Sequence, residues 1–257
     1  MNIIGIIPAR MASSRLPNKP MADILGMPMI GHVYYRSKMS AIMDEVYVAT
    51  CDKEIMDYVA SINGKGVMTA DTHERASDRA AEALLKIESE TGRRVDIVVM
   101  IQGDEPMITP EMISAAVQPL LDDERINITN LMEAMLTREE HEDPAEVKVV
   151  VDKNSNALYF SREPIPSRKK GGQNIPMLKQ VCIIPFRRDF LLEYNNMAQT
   201  PLEIIESVDM NRLLENGIPI RMVMRNEETF SVDTIDDLNN VSNRMKNDPL
   251  LLKYHNK

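Results

Sequence analysis

Three cations crowd the first loop of the chain. Arg10, Arg15 and Lys19 fall between Pro8 and Pro20, and no acidic residue precedes Asp23. The whole protein carries a formal charge of -9. A local excess of positive side chains against that background points to an anionic ligand with several charges, such as a nucleoside triphosphate. The loop has no glycine and no G-x-x-x-x-G-K-[ST], so it is not a Walker A loop. A second candidate is Gln102-Gly103-Asp104-Glu105-Pro106, which ends the apolar run Val95 to Ile101. A carboxylate at the tip of a buried strand is placed to hold a metal over a bound phosphate. Magnesium takes oxygen ligands, commonly one or two carboxylates plus substrate phosphates.

Both groups need strands to carry them. Ile3 to Ile7 is an apolar, β-branched run of the kind buried in the middle of a parallel sheet. Loops at the carboxyl ends of central strands are where open α/β sheets bind ligands. Further strands are predicted at Val46–Thr50, Gly66–Thr69, Val147–Asp152 with a hairpin partner at Ala157–Arg162, Lys179–Phe186 and Ile218–Val223. Helical spacing predicts helices over Met27–Met43, Glu54–Ile62, Thr72–Glu88 and Leu202–Leu213, after Thr109-Pro110, and after Thr234 with Asp237 as capping partner. Asn63-Gly64 stops the second of these. Residues 122–143 carry the least pattern, and Arg138, Glu139, Glu140 and Glu142 read as a solvated surface. The tail after Pro249 is expected to pack loosely.

Composition narrows the class. Hydrophobic residues make up 44% of the chain, with 20 Met and no Trp, which implies an aliphatic core filled by methionine. The acidic balance argues against a nucleic-acid partner, whose binders need a basic face. Cys51 and Cys182 form no C-x-x-C, so neither a disulfide framework nor a zinc site is expected. His32, His73, His141 and His255 show no metal-ligand spacing and read as structural or solvated. With no signal peptide and no apolar run near about eighteen residues, the expectation is a soluble, cytoplasmic protein with no membrane partner.

The run Ile6-Ile7-Pro8-Ala9-Arg10-Met11-Ala12-Ser13-Ser14-Arg15-Leu16-Pro17-Asn18-Lys19-Pro20 resembles the N-terminal signature of the sugar-acid cytidylyltransferases. Within them it is most similar to the 3-deoxy-manno-octulosonate (Kdo) cytidylyltransferase family. Gln102–Pro106, Val147-Lys148-Val149-Val150, Tyr159-Phe160-Ser161-Arg162 and Val232-Asp233-Thr234 extend the likeness over nearly the whole chain. The resemblance implies an α/β fold with a doubly wound, mostly parallel Rossmann-like nucleotidyltransferase sheet and an inserted β-hairpin/dimerisation segment. It implies one domain, 1–257, with the sugar-binding and dimerisation segment at about 145–210. It implies attack by the anomeric hydroxyl of a 3-deoxy-2-keto sugar acid on the α-phosphate of CTP, with Mg²⁺ as cofactor and pyrophosphate released. The partners would be CTP, a small acidic sugar-like acceptor and a second copy of the chain in a homodimer.

By the same resemblance, Arg10, Lys19, Asp104 and Asp233 take catalytic roles, with Asp104 and Asp233 as the metal ligands. Ala9, Arg10, Arg15, Lys19, Arg79 and Gln102 bind CTP. Arg162, Gln180 and Asp209 face the acceptor, Arg162 holding its carboxylate. No covalent nucleophile is implied.

The chain departs from the family pattern in three places. Where the family has H-x-S-G-T-D/E-R, this chain has Arg75-Ala76-Ser77 before Asp78-Arg79. Gln180, Cys182 and Ile184 replace a His, a Gly and a Tyr, and Asp209-Met210-Asn211-Arg212 replaces E-Q-L-R. These changes motivate an alternative: the same CTP chemistry on 8-amino-Kdo, a nonulosonate or a small phosphonate. Ser167 to Gln173 reads as an exposed basic loop able to close over an anionic substrate. A regulatory protein that had lost catalysis would be expected to lose its metal carboxylates, and both Asp104 and Asp233 are present.

Overall fold

A computed structural model describes residues 1–13, 15–169 and 175–255. Ser14 of the signature and the glycine-rich part of the basic loop, 170–174, lie outside the described residues. The chain divides into two compact units: Met1–Ser114 with Thr229–Lys257, and Ala115–Glu228. The segment expected at about 145–210 falls within the second.

The first unit opens with β1 (Ile3–Ala9), two residues longer than the apolar run. A two-residue pair, β2 (Asp23–Ile24) and β3 (Met27–Pro28), leads into α1 (Met29–Lys38). Then come β4 (Glu45–Thr50), α2 (Lys53–Ser61), β5 (Lys65–Met68), α3 (Ala76–Thr91) and β6 (Ile97–Ile101). Helix α4 (Pro110–Asp122) follows Thr109, whose Oγ1 accepts the Met112 amide at 3.2 Å. Asn63 supplies the left-handed turn after α2, with φ 52°. Gly64 is required beside it, since a Cβ there would stand 2.9 Å from the Val59 carbonyl oxygen. Helix α3 starts four residues later than its periodicity, because Arg75 is an extended N-cap (φ -103°, ψ 149°).

Within this unit β6, β1, β4 and β5 lie side by side in that order, all parallel. Buried on both faces, such strands read as continuous apolar runs, which β1 and β6 do. The chain runs outward from β1 through β4 to β5, then returns to β6 on the other flank of β1. The order therefore reverses between β1 and β6, and the crevice at their carboxyl ends is the place where open α/β sheets bind ligands. The ladder between β1 and β6 covers Ile3 to Ile6, so Pro8 lies beyond it and its missing N–H breaks no bond to β6.

The second unit contains β7 (Thr129–Ala134), α5 (Arg138–Glu142), β8 (Lys148–Val151), β9 (Ala157–Ser161), β10 (Leu178–Val181), β11 (Ile183–Arg187), α6 (Arg188–Asn195), α7 (Pro201–Glu206), α8 (Asn211–Glu215) and β12 (Arg221–Arg225). Its mixed sheet runs β12-β7-β10-β8-β9, and β8 and β9 form the expected antiparallel hairpin.

Two readings are corrected here. Residues 122–143 contain β7, a buried strand with neighbours on both sides. Its polar residues hide the pattern because they are paired: Asn130 Nδ2 donates to the Val181 carbonyl, and Glu133 meets the Lys179 ammonium at 3.0 Å. The single helix expected over Leu202–Leu213 is two, broken at Ser207 (φ 51°). Ile204 and Ile205 face solvent, while Glu203, Asn211 and Arg212 are buried. Polar pairing overrides the apolar period.

The chain returns to the first unit through α9 (Ile235–Met245), opened by the Thr234–Asp237 capping box. Val241 and Met245 pack with Ile24, Met29, Val232, Leu251 and Tyr254 in one cluster. The tail after Pro249 is therefore docked, contrary to expectation. The Tyr254 hydroxyl donates to His32 Nδ1 (2.9 Å) and accepts from Arg36 Nε (3.0 Å), while His32 Nε2–H donates to the Ile24 carbonyl (2.8 Å). In the neutral imidazole that burial favours, Nδ1 is the acceptor for the Tyr254 proton.

Burial, aided by the nearby Arg36 charge, pushes the His32 pKa down to about 4 from an ordinary 6.5. The unfolded chain therefore binds a proton first, so stability is full above about pH 6.5 and declines as pH falls toward about 4. The expected loss is about 3 kcal/mol. His32→Gln should flatten that slope in urea melts from pH 7 to pH 4; an unchanged slope would remove His32 as its cause. Among the described residues no helix is long and apolar enough to cross a membrane.

Candidate functional site

The loop after β1 is held at both ends. The Met11 amide donates to Asp52 Oδ2 at 2.8 Å, tying the loop to the N-cap of α2. At its far end Asn18 is left-handed (φ 57°), a conformation that asparagine tolerates. It turns the chain into a 3₁₀ turn over Lys19–Met21. Arg10 and Arg15 stay exposed, whereas Lys19 points inward.

The loop after β6 lies over the end of β1. Gly103 permits this approach: a Cβ would stand 3.3 Å from the Pro8 carbonyl oxygen and 3.2 Å from Ile30 Cδ1. The returning segment then docks, the Val232 amide donating to the Asp104 carbonyl at 2.9 Å. That bond sets Asp233 beside Asp104. Lys19 Nζ lies 2.8 Å from Asp104 Oδ2 and 2.7 Å from Asp233 Oδ1, and Arg15 Nη2 is 3.0 Å from the same Asp233 oxygen. Burial works to lower the Lys19 pKa, but Asp104 and Asp233 outweigh it and hold the ammonium above its ordinary value.

These side chains line a pocket of about 350 Å³ that also includes Ala9, Arg10, Arg75, Arg79 and Gln102. Arg79 is 3% exposed; one terminal nitrogen donates to Thr69 Oγ1 and to the Ala70 carbonyl. The other is buried with no hydrogen-bond partner among the described residues. A buried guanidinium N–H left unsatisfied is costly, and a ligand oxygen in the pocket would satisfy it. His73, Glu74 and Met29 also line the pocket. Met29 gave no signal in sequence, and His73 reads there as structural or solvated, although it falls in the Thr72–Arg79 stretch. His73 Nε2 pairs with Glu82, which also accepts the Ala70 amide at 2.9 Å.

The structure thus brings Ala9, Arg10, Arg15, Lys19, Arg79, Gln102, Asp104 and Asp233 together. Arg162, Gln180 and Asp209 belong to the second unit. The Arg162 guanidinium donates to the Glu206, Pro144 and Ser207 carbonyls (2.8, 2.8 and 3.4 Å). Gln180 Nε2 donates to Asn130 Oδ1 at 2.6 Å, and the Asp209 carbonyl accepts from the Tyr194 hydroxyl at 3.0 Å. Asn211 clips β9, donating to the Phe160 carbonyl (3.0 Å) and accepting its amide (3.3 Å).

A family model described as cytidylyltransferase matches residues 4–227. The chain belongs to the cytidylyltransferase family. The cytidylyltransferase is 40% identical over 255 residues to 3-deoxy-manno-octulosonate cytidylyltransferase of Geobacter metallireducens, covering 95% of this chain and 98% of that protein. It is 42% identical over 248 residues to the protein of the same name from Pelobacter propionicus (93% and 95%). A solved structure of CMP:2-keto-3-deoxy-manno-octonic acid synthetase complexed with CTP matches with a TM-score of 0.88 at 39% identity, covering 96% of this chain and 99% of that one. A glucose-1-phosphate thymidylyltransferase structure from Bacillus anthracis, described as putative, shares the fold alone (TM-score 0.63, 16% identity, 96% of each chain).

Proposed function

We propose that this cytidylyltransferase transfers CMP from CTP to the anomeric hydroxyl of Kdo. The observation that carries the reading is the meeting of Lys19, Asp104 and Asp233 in one pocket with Arg10, Arg15 and Arg79. The relatives' names supply the acceptor. The acceptor oxygen forms a bond to the α-phosphorus as the bond to the β-phosphate oxygen breaks; pyrophosphate leaves and the hydroxyl proton is released. The protein's work is alignment and charge neutralisation. Arg10, Arg15 and Lys19 neutralise the leaving pyrophosphate, and the unpartnered Arg79 nitrogen donates to a nucleotide oxygen.

Asp104 and Asp233 would hold Mg²⁺. They are a hard-oxygen donor set, already gathered around a cation, and two carboxylates are what magnesium takes alongside phosphate. When bound, the metal lowers the pKa of the acceptor hydroxyl and offsets phosphate charge. The reading places the enzyme in the cytoplasm, where CTP is made. A homodimer is also proposed, supported by Leu158, Ile204 and Ile205, apolar side chains exposed by 61%, 59% and 74%. Sedimentation velocity should find twice the 29.2 kDa of one chain; a monomer would refute it.

The altered-acceptor reading loses support where the changed residues have internal work: Gln180 bonds Asn130 and Asn211 clips β9. Arg75, in the pocket wall, still favours it. Pyrophosphate release with CTP and Mg²⁺, compared across Kdo, its 8-amino analogue, a nonulosonate and a phosphonate, separates the two. Turnover with Kdo supports the first reading; silence with Kdo and turnover with another acid replaces it.

Arg162→Ala tests the carboxylate assignment. Its guanidinium already holds three carbonyls, yet an arginine has five N–H donors, enough to serve an acceptor as well. The acceptor KM should rise about tenfold or more, as for a lost charged hydrogen bond, with the CTP KM little changed. Equal rises in both would make Arg162 a purely structural clamp.

A further inference from the structure

Lys19 serves the pocket in a second way. Its ammonium lies between the two carboxylates, and only 13% of its side chain is exposed. Arg15 holds the same Asp233 oxygen. The groups assigned to the metal are thus already paired, and they are paired by the cations assigned to the triphosphate. Magnesium coordinates oxygen at about 2.1 Å, well inside ammonium contact distance. A divalent ion and the Lys19 ammonium therefore compete for the same two carboxylates, and repel each other if both stay. A triphosphate does the reverse: it offers Lys19 and Arg15 other anionic oxygens and leaves the carboxylates unneutralised.

We propose that Lys19 is the resident counter-ion of the Asp104–Asp233 pair, keeping divalent-metal binding weak until a nucleotide triphosphate takes the ammonium over. The proposal rests on the CTP and metal reading given above. It makes nucleotide and metal binding mutually reinforcing through the protein, beyond any direct contact between them, and such coupling is reciprocal. It also separates charge from charge: the carboxylates are never both bare, and the metal enters only when there is a phosphate to hold.

The test uses Mn²⁺ alone as the probe, titrated against the full chain without nucleotide, with free Mn²⁺ read by electron paramagnetic resonance. Lys19→Met should bind Mn²⁺ more tightly than the wild type, by about 5- to 150-fold, the usual span of site-to-site coupling. Lys19→Arg, which keeps a cation between the carboxylates, should stay near the wild type. Equal affinity of the wild type and Lys19→Met overturns the proposal. If Lys19→Met does not fold, Arg15→Gln reads the same effect in smaller measure: tighter Mn²⁺ binding supports the proposal and unchanged binding overturns it. Adding Asp104→Asn distinguishes the two levels. Loss of Mn²⁺ binding upholds the metal reading, whereas unaffected binding overturns that reading and the proposal with it.

Discussion

Asp104→Asn should lower turnover by about two to three decades, the range for losing one group that stabilises charge in a transition state. The substitution keeps shape and an acceptor oxygen but removes the charge. Asp104 sits where the β6 loop crosses the end of β1, and its backbone carbonyl is already used by Val232. Only the side chain changes, so the neighbouring backbone keeps its bonds. Lys19 would then turn wholly to Asp233, 2.7 Å away. Asp233→Asn should cost a similar amount. The double variant should cost far less than the product of the two, because groups acting as a unit are strongly non-additive. Single-turnover measurements with saturating CTP and acceptor separate chemistry from binding. Near-full activity in either single variant would remove the carboxylate pair from the reaction.

Glu203→Ala should destabilise the second unit by about 3–5 kcal/mol, the cost of leaving one partner of a buried ion pair alone. Glu203 is 0% exposed and Arg212 is 3% exposed. They meet at 2.6 and 2.8 Å in a two-point contact, and the guanidinium stacks over the Tyr194 ring at 4.8 Å. Glu203 also accepts the Thr200 amide at 3.3 Å, at the start of α7. Urea denaturation gives the measure. Glu203→Gln, which can still accept a hydrogen bond, should lose distinctly less. A loss below about 1 kcal/mol for Glu203→Ala would mean that the pair behaves like an exposed one.

These two sites differ in how openly the sequence shows them. Arg10, Arg15 and Lys19 stand out as three cations in a stretch with no acidic residue, and Asp104 because it follows the apolar run Ile97 to Ile101, of the kind that belongs to strands buried on both faces. The Thr234 cap was visible because its signal is local, three residues wide. Strand β7 was hidden because Asn130 is satisfied by groups some fifty residues away (|i-j| 50 and 51). The break between α7 and α8 was hidden because Glu203 and Arg212 are buried only as a pair. The docked tail was hidden because Tyr254 finds His32 and Arg36 across more than two hundred residues (|i-j| 222 and 218). Periodicity reports what one element buries, not which distant polar group will meet it.

The pocket also has a timetable. Lys19 meets Asp104 across 85 residues and Asp233 across 214. The whole of Ala115–Glu228 is synthesised between the last two. Loop-closure entropy grows only slowly with length, so this excursion adds little to the equilibrium cost of closing the site. Its effect falls on order of assembly instead. A nascent chain carries its basic loop and Asp104 long before Asp233 exists, and Lys19 has only one carboxylate to meet. The tyrosine that seals the cluster behind Val232 emerges later still. A chain that stops short of residue 233 should lack the activity proposed above however well its first hundred residues fold, since the pocket closes only once Asp233 has been made.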